Sequence, residues 1–120
     1  MSEDQIQIAV IKWSQHPVIR KKYPELALLH HIANERVCTK YQGYHFKQLG
    51  VKSGVPDLHL PVARNGYHSL YIEMKSAKGK TSANQDYWLE YLAREGNCCK
   101  VCYSVNDAID VLEGYLNEGK

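Results

Sequence analysis

Apolar positions along the chain recur at two periods, and the switches between them divide it into elements. Ile6, Val10 and Trp13 recur at helical spacing, and Ser2 followed by Gln5 reads as a capping box that opens a helix at Glu3. Pro17 and Pro24 punctuate the next stretch, and the apolar run 26–32 fits a short strand. Residues 40–49 fit a short helix ending at Gly50. Period-two alternation then marks strands at 57–62 and 68–75. Ser82 with Gln85 forms a second capping box, opening a helix that runs to about Glu95 and stops at Gly96. Residues 98–103 read as a strand. Ser104 and Asp107 cap a last helix whose stripe is Ala108, Val111, Leu112 and Tyr115. The predicted order is helix, three strands with an insertion, helix, strand, helix, which is a mixed α/β layer fold.

Composition narrows the class without naming a function. At 120 residues the chain is expected to form a single domain, 1–120. Its 44% hydrophobic and 23% charged residues are ordinary for a globular protein and exclude a disordered one. No apolar run approaches the roughly 18 residues of a membrane span, and the polar Met1-Ser2-Glu3-Asp4 start does not read as a leader. A net charge of +2 neither demands nor excludes nucleic acid. Of the cysteines, Cys99 and Cys102 have the spacing of half a zinc site, but no second pair follows at a suitable interval. Cys98, Cys99 and Cys102 read instead as small hydrophobes on a buried strand, and with Cys38 they suggest a reducing cytoplasm.

Val55-Pro56-Asp57 and Glu73-Met74-Lys75 carry the chemistry. Alternation puts Ser69, Tyr71, Glu73 and Lys75 on one face of their strand and Leu70, Ile72 and Met74 on the other. A two-residue Asn65-Gly66 loop would pair Arg64 with Tyr67 and Asp57 with Met74, setting Asp57 and Glu73 on opposite faces, because a one-residue slip flips every side chain. A three-residue loop, Arg64-Asn65-Gly66, pairs Leu60 with Leu70, Leu58 with Ile72, and Asp57 with Glu73. That register is the expectation, since it matches both the apolar pairs and the acids. Two carboxylates at one rung repel unless something neutralises them. A divalent cation, Mg²⁺ or Mn²⁺, is the natural neutraliser, since Mg²⁺ takes oxygen ligands from one or two carboxylates together with water and phosphate. Lys75, on the same face, is placed to hold an attacking water or to stabilise charge growing on a phosphorane.

With Val51-Lys52-Ser53-Gly54-Val55-Pro56-Asp57-Leu58, then Tyr71-Ile72-Glu73-Met74-Lys75, then Ser82-Ala83-Asn84-Gln85, the chain resembles the VRR-NUC family, virus-type replication-repair nucleases of the PD-(D/E)XK superfamily. The resemblance implies a restriction-endonuclease-like core (αβββαβ, a mixed sheet flanked by helices). It further implies Asp57 and Glu73 as metal ligands, Lys75 as the catalytic lysine and Gln85 as an accessory glutamine. An acid from the first helix would complete the metal site. Glu3 is the candidate, in phase with Ile6, Val10 and Trp13; Glu35 competes for the role, and Asp4 points to another face. The stand-alone, phage-like members, whose length this chain matches, act as homodimers and resemble Holliday-junction resolvases. The expected activity is therefore metal-dependent cleavage of four-way DNA junctions by a homodimer, in a phage-infected or bacterial cytoplasm. The alternatives are a flap or duplex nuclease of the same chemistry, and a non-catalytic DNA-binding module. Retention of Asp57, Glu73 and Lys75 together favours an enzyme.

The remaining signals are weaker. Gly79-Lys80-Thr81 mimics the end of a P-loop, but Met74 stands where that motif needs a glycine, so no nucleotide cofactor is expected. Lys78 and Lys80 are candidate phosphate contacts, with Lys52 and Arg20-Lys21-Lys22 as further positive points; a solvated surface accounts for them equally well. His59 shares the acid face, and Trp88 is expected in the core.

Overall fold

The computed structural model describes residues 1–34 and 39–117. Helix α1 spans Glu3–Gln15, and both hydrogen bonds of the Ser2–Gln5 capping box form. Its Ile6 and Val10 are buried, while Trp13 packs against the core only in part. Helix α2, Pro17–Lys22, follows at once, with Pro17 in its first turn, where a missing N–H costs nothing.

The expected strand at 26–32 is largely replaced. Pro24 starts a 3-10 turn over Pro24–Leu28 that buries Leu26, and only His30–His31 remains as strand β1. An apolar run that short cannot distinguish strand from helix, and Pro24, with φ already fixed near helical values, tips it. Helix α3, Lys40–Leu49, is capped by Thr39 and Gln42 and ends at Gly50, whose φ of 93° is the left-handed stop.

Strands β2 (Leu58–Leu60) and β3 (Leu70–Met74) are shorter than predicted. Helix α4 (Ala83–Arg94) carries the chain to β4 (Cys98–Cys102), and helix α5 (Val105–Asn117) ends the described fold. The sheet order is β1-β2-β3-β4, antiparallel except for the parallel β3–β4 pair. A parallel pair needs a crossover, and α4 supplies it.

The predicted register holds, for a different reason. Leu58 pairs with Ile72, and Leu60 with Leu70. The loop, however, is the two-residue Asn65-Gly66 turn, with φ of 52° and 82° and Arg64 bridged to Tyr67. Between these pairs, residues 61–63 face only 68–69. Pro61 has no N–H for the ladder, and the Val62 N–H turns back to the Leu60 carbonyl at 2.8 Å. This one-residue bulge cancels the slip that the short turn would impose.

Leu58, Leu60, Leu70, Ile72 and Met74 turn inward and meet Ile6 and Val10 of α1 and Leu112 and Leu116 of α5 in a single core cluster. Each such side chain, fully buried, is worth about 1.5–3 kcal/mol. Cys98 and Cys102 join that cluster as expected of a buried strand, and burial raises the Cys102 thiol to about 12. Among the described residues, Cys99 and Cys102 are free thiols; Cys38 lies outside the described residues. No described helix is long and apolar enough to cross a membrane.

Candidate active site

Opposite the core, the sheet carries a polar rung that is nonetheless buried. Glu73, on β3, is 1% exposed and Lys75 is 7% exposed. Asp57 sits one step before β2, where continuing the ladder opposes it to Glu73. Its Oδ2 accepts the Met74 backbone N–H at 2.7 Å, and its Oδ1 accepts the Asn34 side-chain amide at 3.2 Å. The Asp57 carbonyl accepts the Ile32 N–H at 2.9 Å and the His31 Nδ1 hydrogen at 2.7 Å. β1 and the residues after it thus hold the Asp57 backbone while β3 aims its carboxylate.

Glu73 is held from the other side. Gln85, third residue of α4, accepts the Ser82 N–H through Oε1 at 2.9 Å, which completes the helix cap. That leaves its Nε2 to donate to Glu73 Oε2 at 3.3 Å. Lys75 Nζ lies 3.9 Å from Glu73 Oε2 and 3.9 Å from Glu3 Oε1. Burial, and next the hydrogen bond and charge of Asp57, push the Glu73 carboxyl up to about 9; the Lys75 ammonium opposes the rise. Without a cation the Glu73 carboxyl is therefore held protonated at neutral pH. Glu73 Oε1 is buried and has no hydrogen-bond partner.

An orphaned carboxylate oxygen beside a second carboxylate fits a hard divalent cation, which takes oxygen ligands and displaces the proton. Among the described residues, no three His, Cys, Asp or Glu side chains form a closed metal cage. Mg²⁺ does not require one, since water and phosphate complete its shell. The acids lie on an open cleft of about 810 Å³, lined also by Glu3, Asp4, Asn34, Ser53, Gly54 and Gln85.

Sequence reasoning thus named Glu3, Asp57, Glu73, Lys75 and Gln85, and the fold brings all five together. Asp4, expected to point elsewhere, also lines the cleft. Glu35 lies outside the described residues. Lys52, Lys78 and Lys80 are exposed on loops, outside the cleft lining. His59 takes no place at the acids: its ring stacks on Tyr71 at 4.2 Å and its Nε2 bonds Ser69 at 3.0 Å. Trp88, expected in the core, is half-buried on α4 and donates Nε1–H to the Ser53 carbonyl at 3.1 Å. The supporting roles of Asn34 and His31 are not assigned from the sequence, since hydrophobic pattern does not tie either residue to Asp57. Gly54 left a readable signal, a glycine just before an extended Val-Pro-Asp segment. Its φ is 88°, and a Cβ there would stand 2.7 Å from the Asn84 backbone.

The VRR-NUC domain model matches residues 1–106. A solved structure described as a VRR_NUC domain protein superposes with a TM-score of 0.83 at 31% identity, covering 100% of this chain and 92% of that one. No curated protein matches the chain.

Proposed function

Because the chain belongs to the VRR-NUC family, and so has a nuclease-type function with DNA as its substrate, we propose that it is a divalent-metal-dependent endonuclease that hydrolyses phosphodiester bonds in four-way DNA junctions as a homodimer. The observation that carries the metal dependence is the Asp57–Glu73 pair, with one buried Glu73 oxygen lacking any partner on an open cleft. Asp57 and Glu73 would hold Mg²⁺ or Mn²⁺, with Glu3 as the acid from the first helix. Bound there, the ion would polarise the phosphate and lower the pKa of a coordinated water.

The chain's own groups then divide the work. Asp57, fixed by the Met74 N–H and Asn34, presents one rigid carboxylate. Gln85 keeps the Glu73 carboxylate in place through its amide hydrogen. Lys75, its stem buried and its ammonium 3.9 Å from each of two acids, is positioned to hold the attacking water or to stabilise the extra negative charge of the phosphorane. Lys52, Lys78 and Lys80, exposed on loops, are suited to phosphate contacts whose strength falls with salt. The homodimer rests on substrate symmetry: paired nicks across a four-way junction call for two active sites, which a two-fold dimer supplies. The cytoplasm of a bacterial host, phage-infected or not, is the setting that fits free thiols and this substrate.

The test is a cleavage assay with Mn²⁺ or Mg²⁺ on four-way, flap, single-stranded and linear duplex DNA, run beside Lys75→Ala. The expected result is junction cutting that EDTA abolishes and that Lys75→Ala loses while still binding the junction. Cutting confined to flaps or duplex would replace the substrate. No cutting of any of the four would leave a DNA-binding module with the nuclease fold, and Lys75→Ala cutting at the wild-type rate would overturn the lysine's role.

A further inference from the structure

Helix α3 is an anomaly in this fold. None of its residues is buried, and among the described residues no other helix or strand packs extensively against it. Yet it is well specified, with a complete Thr39–Gln42 capping box and a left-handed glycine stop. A helix of ten residues gains little stability from propensity alone. Its large aromatic residues are exposed rather than folded back: Tyr41 is 79% exposed and Tyr44 65%.

At 100° per residue, Lys47, Lys40, Tyr44, Gln48 and Tyr41 fall in that order across one face, and all are exposed. The less exposed Phe46 lies on the opposite side, and Gly43 falls between it and Lys47. The charge is one-sided too. Between Glu35 and Asp57 the chain has Arg36, Lys40, Lys47 and Lys52 and no acid. The chain also leads from this helix to the cleft: beyond Gly50, the next few residues reach Ser53, Gly54 and Val55 in the cleft lining.

We propose that this face of α3 is a second DNA contact, in which Lys40 and Lys47 bind backbone phosphates and Tyr41 and Tyr44 stack on unpaired bases beside the scissile bond. The inference rests on the nuclease reading and extends it. A cationic face without acids suits a polyanion, and a second copy of this chain, with its own cationic α3, would meet repulsion there. Aromatic faces interleaved with lysines are the usual surface for unstacked bases, which junctions and flaps expose and plain duplex does not.

The test measures anisotropy of labelled single-stranded, four-way and blunt duplex DNA in Ca²⁺, with light scattering for oligomeric mass and cleavage at saturating DNA in Mn²⁺. Lys40→Gln/Lys47→Gln is expected to weaken binding to all three and lower the salt slope by about 1.4–1.8, since each lost phosphate contact removes roughly 0.7–0.9. Tyr41→Ala/Tyr44→Ala is expected to lose about tenfold in affinity for single-stranded and junction DNA but little for duplex, while Tyr41→Phe/Tyr44→Phe keeps it. Melting temperature should not move, because α3 buries nothing. Unchanged affinity in both double variants overturns the proposal. So does a loss of affinity that tracks a change in oligomeric mass, which would make α3 an interface between copies. A salt effect without a tyrosine effect overturns the stacking claim. A wild-type chain that binds no DNA overturns this inference together with the nuclease reading, whereas one that cuts DNA normally with all variants at full affinity overturns this inference alone.

Discussion

Met74 buries its side chain in the core while its backbone N–H donates to Asp57 Oδ2 at 2.7 Å. The strand that carries Glu73 therefore also aims the opposing acid, and site geometry is tied to core packing through a single residue. Any repacking of β3 that moved Met74 would move both carboxylates together.

That link separates structure from chemistry at Asp57. Asp57→Ala leaves the Met74 N–H without an acceptor in a part-buried position, which costs about 1–3 kcal/mol. Asp57→Asn keeps an oxygen for that N–H and should stay near wild-type stability, but it removes the charge a cation needs. Urea denaturation with a cleavage assay checks both: both variants inactive, only the alanine markedly less stable. An asparagine variant that cleaves normally would remove Asp57 from the metal site.

Glu73 makes the metal-free protein sensitive to alkali. Its carboxyl titrates near 4.5 in the unfolded chain and near 9 in the folded one. The folded state thus holds the extra proton, and the advantage, full below about pH 4.5, is lost progressively as pH rises to about 9. In EDTA, stability should fall between pH 5 and 9, and Glu73→Gln, which cannot ionise, should flatten the fall. Cation binding should release a proton at neutral pH, measurable by calorimetry in buffers of different ionisation enthalpy, and affinity should rise with pH over the same window. A wild-type stability profile identical to that of Glu73→Gln would show that the carboxyl is already ionised.

Most of this site was legible because its signals are local. The capping boxes at Ser2–Gln5 and Ser82–Gln85 set where α1 and α4 begin, and so where Glu3 and Gln85 stand. The apolar pairs Leu58–Ile72 and Leu60–Leu70 gave the register that brings the acids together. The loop was misjudged because the bulge at 61–63 is fixed by pairing on both sides, and either loop length fits the apolar pattern. The bonds of Asn34 and His31 to Asp57 are not legible for the same reason: each partner lies more than twenty residues away, and hydrophobic period does not encode that meeting. The role of Gln85 came from family resemblance; the fold adds why it works, since the cap occupies one end of the amide and leaves the other for Glu73.

Gly54 tests whether the loop before Asp57 is seated on α4. An alanine Cβ at Gly54 would lie 2.7 Å from the Asn84 backbone carbon, at a φ of 88°. Gly50 has a similar φ of 93° but nothing within 4 Å. Gly50→Ala should therefore show only the backbone penalty, roughly 1 kcal/mol, while Gly54→Ala should cost more and displace Ser53 from Trp88 and Asn84. Trp88 fluorescence reports that displacement directly. Equal destabilisation by the two substitutions, with Trp88 emission unchanged, would mean the close approach has no consequence.

Gln85 joins two functions that substitution can part. Its Oε1 completes the α4 cap and its Nε2 donates to Glu73. Gln85→Glu keeps an acceptor for the Ser82 N–H, and a carboxylate in the first turn also suits the helix dipole. It replaces the donor to Glu73 with a second negative charge, which should raise the Glu73 carboxyl further and disturb its placement. Gln85→Ala loses both, whereas Ser82→Ala loses the Ser82 hydroxyl that caps Gln85 N–H and costs about 1 kcal/mol. The expected pattern is that Gln85→Glu melts near wild type but cleaves at least tenfold more slowly at neutral pH, recovering in part at higher pH as Glu73 ionises. Ser82→Ala should melt earlier yet retain most of its cleavage at low temperature. If Gln85→Glu cleaved at full rate, the bond to Glu73 would have no part in the chemistry, and the residue would be a helix cap alone.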